Sequence, residues 1–150
     1  MVDLNVFSPS FENGGLMPAK FTCDGENISP EINWGGIPPE VKSLSLICDD
    51  PDAPSGDFVH WVVFNIPAGI NGFEENAAVR EIADLGSTDF GRPGYGGPCP
   101  PSGTHHYHFK VYALDEMLET DRNIDKYDLL DKMEGHILAK GELIGLYKRL

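Results

Sequence analysis

The chain contains five histidines, and three of them crowd into the run His105, His106, Tyr107, His108. A second concentration of reactive groups is DDPDAPSGDFVHW, residues 49–61, where Asp50 and Asp52 flank a turn holding Pro54 and His60 follows. Imidazole and phenol groups donate hydrogen bonds, and a carboxylate beside an imidazole favours its charged form. Asp50, Asp52, His60, His105 and Tyr107 together could hold a small phosphate or carboxylate. The same residue types allow other chemistries. Asp50, His60 and His105 have the composition of a two-histidine, one-carboxylate metal site, and Ser102 with His105 and Asp50 that of a hydrolytic triad. A tyrosine and a shaped loop suit an anion better than a metal. Ser102 also lacks the strained G-x-S-x-G turn that exposes a nucleophile.

Positioning these groups falls to strands. Residues 105–114 read as a strand whose alternation puts His105, Tyr107, Phe109, Val111 and Ala113 on one face. That face is apolar beyond Tyr107 and points inward. His106 and His108 share the other face with Lys110 and Tyr112 and point to solvent. The His-His-x-His run is therefore split and weak as a three-ligand metal site. Residues 43–50 alternate as a second strand. Residues 58–66 are apolar on both faces and read as a central strand, with His60 sharing parity with Phe58, Val62 and Phe64. A last strand is expected over 141–149.

Before the histidine strand comes Gly91–Gly103, with five Gly and four Pro in 13 residues. Proline fixes φ and glycine frees it, so this segment is shaped, and its backbone N–H groups could form an anion-binding concavity. One helix is expected over 126–139. Leu129, Leu130, Met133, Ile137 and Leu138 form its stripe, Asp125 its N-cap and Gly141 its stop. Its flank, 115–134, carries eight acids, Asp121 among them, against Arg122, Lys126 and Lys132. It reads as a solvated face.

Composition narrows the function classes. The 150 residues make one domain by length, and 24 acidic against 11 basic side chains leave a net charge of −13. That field repels nucleic acid and anionic membranes. The longest apolar stretch, 58–70, is broken by His60, Asn65 and Pro67 and is too short to span a bilayer. The first residues carry no basic or apolar leader, so no signal peptide is expected. Cys23, Cys48 and Cys99 form an odd set without C-x-x-C spacing, which predicts free thiols in a reducing, cytoplasmic setting. Cys99, on the loop, is read as a small buried residue.

The run DDPDAPSGDFVHWVVFNIP, followed by GYGGPCPPSGTHHYHFKVYALD, resembles the phosphatidylethanolamine-binding protein family, which includes the Raf kinase inhibitor protein. The flanking FTCDGENISPEINWGGIPPEVKSLSL and GHILAKGELIGLYKR resemble its shorter bacterial and archaeal branch, so the likeness covers nearly the whole chain. It implies an antiparallel β-sandwich with a few peripheral helices. It also implies a non-enzymatic pocket for phosphate-like and carboxylate anions, including phospholipid headgroups, with no cofactor. By motif the ligand-binding residues would be Asp50, Asp52, His60, His105 and Tyr107. Pro54, Gly96, Gly97, Pro98, Pro100 and Pro101 would shape the pocket. In relatives the motif bond before Pro54 is often cis. Family roles add the modulation of a partner, or the inhibition of a kinase or serine protease, and pairing as a homodimer. The helix that borders the pocket in eukaryotic relatives has no counterpart before Leu150.

Overall fold

The structure, a computed structural model, describes residues 2–120 and 123–149. Asp121 and Arg122 of the acidic flank lie outside the described residues. The elements in chain order are β1 (Val2–Asp3), β2 (Asn5–Phe7), β3 (Gly15–Leu16), β4 (Ile32–Gly35), β5 (Ser43–Asp50), β6 (Phe58–Pro67), β7 (Gly72–Phe73), β8 (Asp84–Leu85), β9 (His105–Leu114), α1 (Lys126–Met133) and β10 (Ile137–Tyr147). Single 3-10 turns occur at Ala19–Phe21 and Val79–Glu81.

The fold is mostly β, in two open sheets. The larger has the order β1-β10-β9-β5-β6-β8, with β3 also on β10, and the smaller the order β2-β4-β7. The long strands pair antiparallel, whereas the short β1 and β3 join β10 in parallel. β5 lies between β9 and β6, and all eight of its residues are buried. Its alternation feeds two cores. Leu44, Leu46 and Cys48 pack with Phe109, Trp34 and Phe73 in the core shared with the small sheet. Ile47 packs on the opposite face with Val62, Phe64 and, from α1, Leu129 and Met133. The residues expected over 58–66 and 105–114 form two of the interior strands of the large sheet.

Helix α1 is shorter than its apolar stripe suggests. Asp125 caps it and forms a capping box with Asp128, but the helix ends at Met133. Gly135, at φ +83°, reverses the chain, and Ile137 and Leu138 belong to β10. Two residues of the expected helix stripe are strand residues, because apolar positions in the next element happen to continue the helical spacing. Gly141 sits inside β10. A Cβ there would lie 2.2 Å from the Leu4 carbonyl, so this glycine admits close approach of the N-terminal segment.

Two further expectations are corrected. Cys23 and Cys99 form a disulfide across 76 residues, leaving Cys48 as the free, buried thiol. The pairing has no local spacing to betray it, because the fold alone brings the two loops together. The free-thiol argument for a reducing compartment goes with it. A bridge fits an oxidising compartment, or the disulfide-rich intracellular proteins of hyperthermophiles. The peptide before Pro54 is trans, the ordinary preference of an X–Pro bond. No helix among the described residues is long and apolar enough to cross a membrane.

Candidate functional site

Asp50 ends β5 on the face of Leu46 and Cys48, and His105 begins β9 beside it. The Asp50 carboxylate meets His105 Nδ1 at 2.6 Å. Tyr107, two residues on, points the same way, and its ring stacks beside His105 with centroids 6.4 Å apart. Asp49, facing the other way, meets Lys126 instead. The adjacent acids at one strand end thus serve opposite faces of the sheet.

His60 arrives by a different device. Between Cys48 and Asp49 the β5–β6 register moves from Trp61 to Val59, so His60 is the extra residue of a β-bulge. The bulge breaks the expected parity. Val62 and Phe64 pack in the second core, while His60 turns with Trp61 toward the first. There its ring meets Phe58, Phe90 and Tyr107 at centroid distances of 5.0, 5.3 and 5.2 Å. Its Nδ1 lies 2.7 Å from the Gly96 carbonyl. Phe90 lies directly on Gly96, where a Cβ would come within 2.2 Å of the ring.

Asp50, His60, His105 and Tyr107 line one cavity of ≈ 300 Å³, and none of them is more than 6% exposed. Pro54, Phe58, Phe90, Cys99, Pro100 and Pro101 complete its apolar wall. Gly96, Gly97 and Pro98 stand behind that wall rather than in it. Gly96 N–H donates to the His60 carbonyl, Gly97 N–H to Asn27 Oδ1, and the Pro98 carbonyl accepts from Cys23 N–H. These backbone groups are spent on the scaffold, so the expected N–H concavity does not form at Gly96 and Gly97. The loop is tied down further by Tyr95 O–H on the Phe21 carbonyl and by the disulfide.

Asp52 does not join the cavity. It is exposed, and its carboxylate accepts from the backbone N–H of His106 and faces that ring's Nδ1 at 2.7 Å. The hydrogen bond from His106 holds Asp52 below its ordinary pKa. His106 is exposed, and the half-buried His108 faces Glu142 on the outer face. Ser102 is exposed and lies outside the cavity, whereas Ser55 lies at its edge. The ligand atoms of Asp50, His60 and His105 do not all come within 4.8 Å of one another, a spacing met by Asp115, Glu116 and His136 on the surface.

The electrostatics follow from burial. Desolvation pushes His60 below its ordinary value, against the pull of the Gly96 carbonyl and the Asp50 charge. Desolvation raises Tyr107, with Asp50 adding to it, so the phenol keeps its proton. Both Nδ1 atoms are engaged, and no hydrogen bond joins either Nε2 or the Tyr107 hydroxyl to another of the described residues. Three polar atoms are therefore left to meet whatever enters.

The phosphatidylethanolamine-binding protein family model matches residues 7–148. The chain belongs to that family. It is 50% identical to a UPF0098 protein of Methanothermobacter thermautotrophicus, over 97% of this chain and 99% of that one. A phosphatidylethanolamine-binding protein homologue of Chlamydia trachomatis superposes with a TM-score of 0.95 at 37% identity, covering both chains fully. E. coli YbcL, described as a new member of the mammalian family, superposes at 0.90 with 32% identity over 99% of this chain and 100% of its own. Membership accounts for the two long motifs and for the sandwich. The bulge at His60 and the bridge at Cys99 are local features that motif spacing could not reveal, because both depend on partners elsewhere in the chain.

Proposed function

We propose that the cavity is a non-enzymatic binding site for a small oxyanion, a phosphate or carboxylate, free or as a headgroup, and that its occupancy tunes contact with a partner protein. The observation that carries this is the convergence of His60, His105 and Tyr107, each with a polar atom not engaged by the described residues, on one cavity that Asp50 also lines. Each imidazole has its Nδ1 committed. Its Nε2 therefore donates to an anion only when the ring is charged, and charged hydrogen bonds are the stronger kind. An anion without a hydrogen of its own then binds with proton uptake, and its affinity falls as pH rises through the histidine range. Calorimetry with sulfate at several pH values tests this. Tyr107→Phe and His105→Ala should weaken binding, and His105→Ala should flatten the pH response. His106→Ala, on the opposite face, should do neither. Affinity that climbs with pH, or equal losses from His105→Ala and His106→Ala, would overturn the reading.

A further inference from the structure

Cys99 belongs both to the cavity wall and to the bridge. It lines the cavity together with His105, whereas its partner Cys23 does not line it. Both cysteines are exposed loop residues, but their surroundings differ. Cys23 is followed by Asp24 and Glu26 in the chain, and Asp24 holds its carboxylate between Tyr147 O–H and Arg149. Cys99 stands between Pro98 and Pro100, with no charged neighbour beside it in the chain. The remaining cysteine, Cys48, is buried in the core.

A disulfide opens when a thiolate attacks one of its sulfurs, and the other sulfur leaves. A thiolate formed in the cavity meets the bridge from the Cys99 end and expels Cys23. Approach to Cys23 from outside would set the thiolate against Asp24 and Glu26, on a molecule of net charge −13. The cavity also holds a base. His105 has its Nδ1 on the buried Asp50 carboxylate at 2.6 Å, which orients the ring and leaves Nε2 to take a proton. The volume of ≈ 300 Å³ admits a small thiol and excludes a protein's.

We infer that Cys99 is a site of reversible S-thiolation, at which a low-molecular-mass thiol enters the cavity, gives its proton to His105 Nε2 and forms a disulfide with Cys99 while Cys23 leaves. One S–S bond forms as another breaks. The displaced Cys23 thiolate takes a proton from water and His105 returns one to water, so no oxidant is needed. The loop keeps its other ties, Tyr95 O–H to the Phe21 carbonyl, Gly97 N–H to Asn27 Oδ1 and Cys23 N–H to the Pro98 carbonyl. Cys23 therefore stays beside Cys99 and expels the added group when its own thiolate forms again. Until then the added group occupies the cavity.

The test exposes the native protein briefly to β-mercaptoethanol, stops exchange with acid, blocks free thiols with N-ethylmaleimide and maps the peptides by mass spectrometry. The mercaptoethanol adduct should fall on Cys99 and the maleimide on Cys23. On the urea-unfolded chain the adduct should fall on both cysteines. His105→Gln should slow the native reaction about a hundredfold, the lower end of what a positioned base supplies. Para-nitrothiophenol is already ionised at neutral pH, needs no base and should react equally fast with wild type and variant. Adduct on Cys23 of the native protein, adduct shared evenly, or a native bridge that does not open would overturn the inference. So would a His105→Gln variant whose rates with the two thiols change alike.

Discussion

His105 and His106 are neighbours in the chain and live in different surroundings. One is buried against Asp50, and the other is exposed against Asp52. Strand alternation separates them, and alternation is visible in the residues alone because Phe109, Val111 and Ala113 mark the inner face. His60 shows the limit of that logic. Counting by twos groups it with Val62 and Phe64, but a single extra residue in β6 turns it to the other side of the sheet. No residue type marks the bulge, because it follows from how β6 registers against β5. His60 also makes a prediction at this scale. Its pKa is depressed by burial, so the folded protein binds fewer protons than the unfolded chain between the folded value and the ordinary 6.5. The neutral ring's contribution to stability is present above 6.5 and is lost as pH falls through the folded value. Denaturant melts of wild type and His60→Phe should show the variant weaker by about 1 kcal/mol near neutral pH, where the Gly96 carbonyl loses its donor. The gap should narrow as pH drops. A gap constant with pH would mean that His60 titrates normally.

At the scale of elements, α1 is pinned by one charge. Lys126 Nζ reaches Asp49 at 2.6 Å and also bonds Asp57, and the Asp49 side chain is 1% exposed. Burial works against the Lys126 charge, but the two carboxylates outweigh it and raise the lysine to about 12. Its stabilisation is therefore complete below 10.5 and disappears as pH rises through about 12. Lys126→Met leaves Asp49 with Lys110 alone, at 3.2 Å, and should cost about 3 kcal/mol. Asp125→Ala, which removes the capping box, should cost about 1 kcal/mol. Urea denaturation ranks the two, and the reverse order would contradict the pin. The cap was legible in the sequence as Asp125, and its reciprocal bond with Asp128 is added by the structure. The pin was not, because an acid-rich flank reads as a solvated face until the fold brings Asp49 and Asp57 to Lys126.

For the whole molecule, the positions of the long strands follow from alternation, and the sandwich from the resemblance carried by the two family motifs. The tie between the Gly/Pro loop and the segment after Met17 does not. The Cys23–Cys99 bridge closes 76 residues, and the chain-entropy account gives such a closure about 4 kcal/mol. Cys23→Ser, which leaves the cavity wall at Cys99 in place, should lower the urea midpoint accordingly. An unchanged midpoint would show that the loop is held by its hydrogen bonds to Phe21, Cys23 and Asn27 alone.

The central claim is that a small oxyanion binds among His60, His105 and Tyr107. The five histidines are natural reporters, two in the cavity and three outside it. Nitrogen-15 NMR of the imidazoles during a titration with inorganic phosphate tests the claim most directly. His60 and His105 should move saturably and together, while His106, His108 and His136 keep their positions. Saturable shifts confined to the outer three, or no saturable shift at His60 and His105, would contradict it.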